Sequence, residues 1–440
     1  MDAAVKYPPK PLTLSAAAAH ALEQVADQLV AETLRASDEF ISQGRAVDKV
    51  RWKTLKKKDN LTSYRSRNGG PAQSQRPRIA SADTDALAES PEMPEFYPIT
   101  EKNIQSALSA SYLGVSATCP EATDFESDSH HVEVVLEPKM MEMPRPESAP
   151  MVFCTGSVPG TVEDAALGFL ADTEVRTRDR TSNCTDANVD DARVLARIQG
   201  PSFEDPFRFL GVKWLALSTP GAARHFVKSR DYLFLESSGM ALDSDGERFC
   251  YLLNHSIVLE EVPEFVSSGF VRQTFSACHI IRPSGTEGGV EVFSRGFTGS
   301  VGSLAERLNM NQYGDVLMAV PQMIEEAYSR KLVWLLQTEP HGVGSLRAAL
   351  APGHSLDICQ SCNDKLNSGI GKLFDYAICV LCRQSACRKC TVKRLFSRKA
   401  GESKRQKKIA IKFCLKCYLE AKNLSAWQVG VNSLSVTGYE

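Results

Sequence analysis

Eight of the thirteen cysteines lie in the C-terminal part of the chain, where they form four Cys-x-x-Cys pairs. A Cys-x-x-Cys turn places two thiolates on one side of a tight loop, at a spacing that lets them share a tetrahedral zinc ion through bonds of about 2.3 Å. Four such turns supply ligands for two closed sites, so the sequence predicts two structural zinc ions. The predicted ligands are Cys359, Cys362, Cys379, Cys382, Cys387, Cys390, Cys414 and Cys417.

Two other chemistries use paired cysteines, namely disulfide bonds and redox-active thiols. Disulfides require an oxidising compartment, and the segment Met1–Leu14 lacks the apolar region of a secretory signal. A redox site needs one Cys-x-x-Cys motif, whereas this chain has four. The remaining cysteines are scattered and odd in number, which is typical of reduced thiols. We therefore expect metal sites in a cytoplasmic protein.

The spacing between the four pairs narrows the type of finger. Sixteen residues separate the first two pairs, four separate the next two, and twenty-three separate the last two. This order resembles a FYVE-type finger, as do the segments 387–391 and 411–418. The resemblance implies a cross-brace, in which the first and third pairs hold one zinc and the second and fourth hold the other. A RING-like ubiquitin ligase is the alternative. However, RING fingers usually have a shorter gap between their fourth and fifth ligands, and usually a histidine at that place.

Several positions depart from the FYVE pattern. The family reads phosphatidylinositol 3-phosphate through a basic motif around its third cysteine, where this chain has Asp375-Tyr-Ala-Ile-Cys379-Val. Arg383 replaces the glycine usual after the fourth cysteine, and Lys412 alone matches a basic ligand of the family. We therefore predict a degenerate FYVE-related finger. Its predicted membrane contacts are Ile370, Leu373, Phe374 and Lys412, although the three apolar residues would equally suit the small zinc core.

Charge is distributed unevenly along the chain. Between Asp357 and Lys422 there are sixteen Lys and Arg against five Asp and Glu, although the whole chain has a formal net charge of −2. Such a basic segment is most often a solvated loop, but together with a small apolar tip it favours an anionic membrane surface. We expect peripheral attachment to endosomal or other anionic membranes, or a protein partner, and no binding to nucleic acid.

The N-terminal three quarters of the chain alternate between helical and strand-like patterns. A helix is predicted over residues 13–43, followed by a largely disordered insertion over 68–150 that is rich in Gly, Pro, Ser and acidic residues. Five strand-like segments between 207 and 295 are divided by turn residues, which predicts an antiparallel meander. A final helix is predicted over 313–336, with Pro321 marking either a kink or a second start.

A helix, a long antiparallel sheet and a C-terminal helix together resemble the helix-grip fold of START-like domains. Short sequence segments support the resemblance, including Lys213-Trp214, Arg230-Asp231-Tyr232 and Val292-Phe293-Ser-Arg295-Gly296. The predicted fold class is α+β. The predicted division is a START-like domain over 10–338, a finger over 355–424 and a tail over 425–440.

The resemblance implies an apolar cavity between the sheet and the C-terminal helix, closed around a lipid or another apolar small molecule. The candidate lining residues are Arg230, Asp231, Phe234, Tyr251, Arg272, Phe275, His279, Leu317 and Ile324. Each of them equally suits a salt bridge or a filled core. No persuasive catalytic pattern appears, so a non-enzymatic lipid-binding protein is predicted. The alternative is a protein-interaction scaffold with a collapsed START-like core.

Overall fold

The computed structural model describes residues 8–67, 145, 149–185, 187–219, 228–285, 288–299, 303–338, 358–366, 376–398 and 407–437. Within these ranges, no helix has the length and apolar character needed to cross a membrane. Most of the predicted insertion at 68–150 lies outside the described residues.

A ten-stranded sheet forms the framework of the larger part of the chain, and its strands run in the order β1-β2-β3-β10-β9-β7-β6-β5-β4. Neighbours along this path are antiparallel, and the short strand β8 pairs in parallel with β6. This confirms the predicted α+β class with a large antiparallel sheet. The strands are β1 (Trp52–Lys58), β2 (Leu61–Ser66), β3 (Val152–Pro159), β4 (Asn188–Gln199), β5 (Phe209–Ser218), β6 (Ser229–Leu242), β7 (Arg248–Ser256), β8 (Phe270–Arg272), β9 (Phe275–Pro283) and β10 (Gly289–Thr298).

One face of the sheet is covered by helix α1 (Ala16–Ser42). Ser15 begins this helix, since its hydroxyl accepts a hydrogen bond from the amide of Ala18 at 3.1 Å. Leu22 and Leu29 recur at helical spacing and pack with Trp214 of β5 in one hydrophobic core. Burial of this stripe fixes α1 on the sheet, as the sequence pattern predicts.

The other face is covered by helices α2 (Val162–Phe169), α3 (Glu174–Cys184) and α4 (Ser303–Leu317), and α5 (Val320–Thr338) packs on α2. A capping box joins Thr161 and Asp164 at the start of α2. A Cβ atom added to Gly168 would lie 2.0 Å from the carbonyl oxygen of Met323, so the backbones of α2 and α5 are in close contact. Helix α2 therefore lies between α5 and the sheet.

The final helical segment is divided into two helices. Pro321 is the second residue of α5, where a missing backbone N–H breaks no helical hydrogen bond. It therefore marks a second start rather than a kink in one continuous helix.

The elements of the larger domain that were not predicted from the sequence include β1, α3 and β4. Strand β4 pairs with β5 through three register shifts, which interrupt the alternation that marks a strand. Strand β1 is an edge strand rich in lysine, a composition that protects an open edge against further pairing. The segment predicted as one strand over 270–282 consists of β8 and β9.

The cysteine-rich part contains two small hairpins and two helices. Their elements are β11 (Tyr376–Ile378), β12 (Ser385–Cys387), β13 (Thr391–Arg398), β14 (Lys407–Cys414), α6 (Leu415–Asn423) and α7 (Ala426–Thr437). The predicted tail thus contains a helix, whose Ala426 and Val429 are buried. These residues belong to the same hydrophobic core as Leu317 and Ile324, so the finger and the sheet domain share one core.

Candidate metal centres and the interior of the sheet

The eight predicted cysteine ligands come together as two tetrads. The first tetrad joins Cys359 and Cys362 to Cys387 and Cys390, and the second joins Cys379 and Cys382 to Cys414 and Cys417. Within each tetrad the ligand atoms all lie within 4.8 Å of one another. The first pair therefore meets the third and the second meets the fourth, which confirms the predicted cross-brace grouping.

The distances between sulfur atoms fit a four-thiolate metal site. Cys362 Sγ lies 3.8 Å from Cys387 Sγ, and Cys382 Sγ lies 3.7 Å from Cys414 Sγ. A tetrahedral zinc with bonds of about 2.3 Å requires sulfur atoms roughly 3.8 Å apart, whereas a disulfide needs about 2.05 Å. All the described cysteines are free of disulfide bonds. Both tetrads are thus positioned to bind a metal ion and are compatible with zinc.

Each tetrad is built on a tight turn with a left-handed residue. Asn363 and Arg383 directly follow the second cysteine of their pairs and have φ angles of 60° and 61°. Their amides donate hydrogen bonds to the carbonyl oxygens of Cys359 and Cys379, at 2.8 and 2.9 Å. These bonds close the turns that bring the paired thiolates to one side. Asn tolerates the left-handed conformation, whereas Arg adopts it at a cost in free energy.

The hairpin of β13 and β14 presents basic side chains to solvent. Lys393 lies directly opposite Lys412 in the strand pairing, and both are exposed. Leu395, two residues along on the same face, is 61 % exposed. The other predicted membrane contacts, Ile370, Leu373 and Phe374, lie outside the described residues, so the proposed membrane surface is represented here by Lys412.

On the sheet, Arg230, Phe234 and Phe275 lie on the face opposite α1. Phe234 is buried against Leu215, and Phe275 is only partly buried beside it, with ring centroids 5.6 Å apart. Arg230 shares this face by strand alternation and interacts with Tyr232. Phe234 and Phe275 belong to a small apolar cluster, and Phe275 also packs against the core that contains Leu317. We call it the Phe234 cluster; its members are Val189, Ala192, Leu215, Leu217, Tyr232, Phe234 and Phe275.

Asp231, Arg272 and Tyr251 lie on the α1 side of the sheet instead. Asp231 accepts hydrogen bonds from Trp214 Nε1 at 2.9 Å and from Arg272 Nη2 at 2.8 Å. Tyr251 accepts one from Arg208 Nη1 at 2.5 Å. Alternation along β6 and β7 separates these residues from Phe234, so the structure does not bring the whole predicted lining set together.

Leu317 and Ile324 lie in the packed core on the side of α2. Leu317 is fully buried, and Ile324 is buried against the glycine at 160. His279 is also buried on this side, where its Nδ1 lies 2.8 Å from Ser294 Oγ. Burial, helped by nearby Arg180, lowers the pKa of His279 to about 4. These three side chains therefore take part in a filled interior.

A buried charged triad of Lys213, Glu236 and Arg180 lies beside the Phe234 cluster on the same sheet face. Lys213 Nζ donates to Glu236 Oε1 at 2.7 Å, and Arg180 donates to the other carboxylate oxygen. Burial lowers the pKa of Lys213 to about 8, although Glu236 opposes the shift. Burial would raise the pKa of Glu236, but Arg180 and Lys213 together hold it below its ordinary value.

Sequence reasoning missed this triad as a site. Lys213 was singled out only as part of a short segment that resembles START-like domains. Arg180 is on a helix that was not predicted and is 56 residues from Glu236 in the chain. The signal available was the presence of Lys213 and Glu236 within otherwise apolar strands, since buried charges usually occur in pairs.

A cavity of about 360 Å³ lies between α5, β13 and α7. Its walls include Trp334 of α5, Phe396 of β13 and Leu434 of α7, together with Arg176 and Arg330. It is therefore separate from the space predicted between α5 and the sheet, much of which α2 occupies.

Comparisons with known proteins give distant structural likenesses. No family model matches the sequence, and no curated protein matches it. Human STARD10 is similar with a TM-score of 0.33 and 14 % identity, covering 72 % of this chain and 88 % of that one. Human StAR-related lipid transfer protein 5 is similar with a TM-score of 0.34 and 11 % identity, covering 68 % of this chain and 97 % of that one. A STAR-related lipid transfer protein fragment from Xanthomonas axonopodis is similar with a TM-score of 0.31 and 12 % identity, covering 62 % of this chain and 99 % of that one. Because these TM-scores are low, the description of the fold depends on the strand order and helix packing of this chain and not on the comparisons.

Proposed function

We propose that this chain is a non-enzymatic lipid-binding protein with two structural zinc ions. The observation that carries the proposal is the Phe234 cluster, an apolar cluster with a partly buried edge that lies next to the buried charged triad on the same face of the ten-stranded sheet. Burying an apolar chain there gains about 25 cal/mol per Å² of surface, and a nearby charged group can orient a polar head. The partly buried Phe275 and Tyr232 offer surface for such a ligand.

The finger, in this proposal, docks the protein on an anionic surface as a degenerate FYVE-related module. Lys393 and Lys412 support this role, because like charges directly opposite each other in a hairpin destabilise it unless an anion compensates. Each basic residue near an anionic bilayer contributes about 1 kcal/mol. We accordingly propose a cytoplasmic protein that attaches peripherally to anionic membranes.

The lipid proposal is tested by native mass spectrometry and by uptake of a fluorescent fatty acid, sterol and phospholipid. Two zinc ions and a lipid-sized adduct are expected. Phe275→Asp, which places a charge in the Phe234 cluster, should abolish uptake, whereas Leu242→Asp at an exposed position should leave it unchanged. Absence of uptake by the wild-type chain for all three probes would overturn the proposal.

The docking proposal is tested separately by sedimentation with vesicles containing phosphatidylserine. The double variant K393E/K412E should lose binding, while K53E/K57E changes the same number of charges on the exposed residues of β1 and should bind as wild type does. Equal loss in both double variants would show that only total charge matters and that the hairpin is not the docking surface.

A second candidate is a protein-interaction scaffold with a filled interior. The close contact of α2 with α5 favours it, because α2 occupies space that an open helix-grip cavity would leave for a ligand. The same uptake assay separates the two candidates, since a scaffold retains both zinc ions but takes up no lipid.

A further inference from the structure

The finger packs against the larger domain through helix α5, at residues that also contact α2. Tyr328 of α5 meets Tyr418 of α6 edge to face, with ring centroids 6.4 Å apart. The ammonium of Lys422 lies 4.5 Å from the centre of the Tyr328 ring. Aromatic and cation–π contacts of this kind require a specific geometry, so they fix the position of α6 on α5.

Lys331 joins three helices in the interior of this contact. Its Nζ lies 2.5 Å from Asp164 Oδ1 of α2 and donates to the carbonyl oxygen of Lys422 on α6 at 3.1 Å. Because a buried ammonium needs its partners, movement of α6 away from α5 would leave one of its donors without an acceptor. The position of α6 and the order of α5 are therefore coupled through one side chain.

A second polar contact lies at the edge of the interface. Arg394 of β13 donates to both Glu325 of α5 and the hydroxyl of Tyr418, and that hydroxyl lies 3.0 Å from Glu325 Oε2. The guanidinium of Arg394 also lies 4.8 Å from the centre of the Tyr418 ring. Tyr418 is thus held from both domains at once.

Helix α7 provides another anchor on the larger domain. The ring of Trp427 lies edge to face with Phe207, which precedes β5, at 5.6 Å. A Cβ atom added to Gly430 would lie 3.0 Å from both Phe207 and Pro206, so the helix backbone approaches this loop closely. The interface therefore extends from α5 to the start of β5.

The second cysteine tetrad positions α6 at its first turn. Cys414 is the N-cap of α6, and its Sγ accepts a hydrogen bond from the amide of Cys417 at 3.4 Å. The next residue is Tyr418, which contacts α5. A helix of nine residues has little stability of its own in water, so its order depends on the metal site and on packing.

From these contacts we propose that the finger is a metal-dependent clamp on α5 of its own chain. The α5 clamp consists of Arg394, Tyr418 and Lys422, and the metal of the second tetrad holds it in place. Loss of that metal releases α6, removes the α6 partners of Tyr328 and Lys331, and lets α5 open locally while α1 and the sheet stay folded. The clamp rests on the zinc ions of the proposed function but not on the binding of a lipid.

Hydrogen exchange of the full chain, with zinc and after chelation, tests this inference. Peptides from α5 should exchange about tenfold faster after chelation, because their protection follows the free energy of local opening. Peptides from α1, on the opposite face of the sheet, should be unchanged. Unchanged exchange in α5 while α6 exchanges freely would overturn the clamp. Equal acceleration of α1 and α5 would also overturn it, since the finger would then support the whole fold.

Two substitutions on neighbouring residues of α6 test the contact without removing a metal ligand. Tyr418→Ala should accelerate exchange of α5 several-fold with zinc present. Leu419→Ala, at a side chain that is 49 % exposed, should behave as wild type does. Glu325→Ala removes the α5 side of the same contact and serves if Tyr418→Ala does not fold. Wild-type exchange of α5 in both Tyr418→Ala and Glu325→Ala would contradict the clamp.

Discussion

Lys331 and Asp164 form an ion pair in the interior, with side chains that are 1 % and 3 % exposed. Lys331→Met keeps most of the side-chain volume but leaves a buried carboxylate without its counter-charge. Breaking a buried pair from one side costs about 3 to 5 kcal/mol, so the free energy of unfolding should fall by that amount. Urea unfolding followed by tryptophan fluorescence measures the change.

Two further variants separate the pair from general effects of removing lysine. K331M/D164N should recover most of the lost stability, because no unpaired charge then remains in the interior. Lys57→Met, on exposed β1, should change the free energy of unfolding by less than about 0.5 kcal/mol. A loss in the double variant as large as in Lys331→Met would show that the ion pair itself is not the cause.

Removal of one thiolate should unfold the finger. Structural zinc contributes on the order of 10 kcal/mol to the folding of small modules, and Cys387→Ala leaves the first tetrad with three ligands. Native mass spectrometry should find fewer than two zinc ions, and limited proteolysis should cut within 376–398. Cys184→Ala, at a free cysteine of α3 outside both tetrads, should retain both metals. Two zincs and unchanged protease resistance in Cys387→Ala would contradict the cross-brace.

The two four-cysteine sites were predictable because each pair of thiolates lies within one turn of the chain. The grouping of the pairs into a cross-brace came from the resemblance to FYVE-type fingers, and the two tetrads agree with it. The sheet class was also predictable, since β5 to β7 carry apolar and β-branched residues between clear turns. The face of each strand was not predictable, because alternation separates Asp231 from Phe234 but cannot say which side meets α1.

Contacts between distant parts of the chain could not be predicted from the sequence. Arg180 reaches Glu236 from a polar helix whose pattern gives little sign of burial, and Lys331 reaches α6 across 91 residues. The helix over 426–437 has apolar residues, but only its packing on Phe207 shows why it is ordered. Such contacts depend on tertiary packing, which overrides local pattern.

Arg383→Gly should stabilise the finger. Arg383 has a φ angle of 61°, a left-handed conformation that costs a residue with a Cβ atom roughly 1 kcal/mol and costs glycine almost nothing. The thermal midpoint of the finger, followed by release of zinc to a chromogenic chelator, should therefore rise.

Asn363→Gly is the matched comparison, because Asn363 follows its cysteine pair in the same way and has a φ angle of 60°. Asn tolerates this conformation better than Arg does, so its replacement should gain less. A larger gain at Asn363 than at Arg383 would show that backbone strain is not what limits the stability of these turns.

Acid should destabilise the protein through two buried histidines. Burial lowers the pKa of His255 and of His279 to about 4, below the ordinary value of 6.5. Between these values the unfolded chain binds protons that the folded chain does not, so the free energy of unfolding falls as the pH falls from 6.5 to 4. Each histidine contributes about 3 kcal/mol to this loss. The stabilisation is fully present above pH 6.5.

His279→Asn removes one of the two titrations while leaving an amide beside Ser294 Oγ. The slope of unfolding free energy against pH, measured by urea unfolding at intervals from pH 7 to 4, should decrease by the equivalent of about one proton near pH 5. His20→Asn, at an exposed position of α1, is the control for replacing an imidazole by an amide. Because the slope counts protons, a merely structural effect of His279→Asn would shift the whole curve down without changing its steepness. Parallel curves for wild type and His279→Asn would therefore exclude His279 as a source of the acid sensitivity.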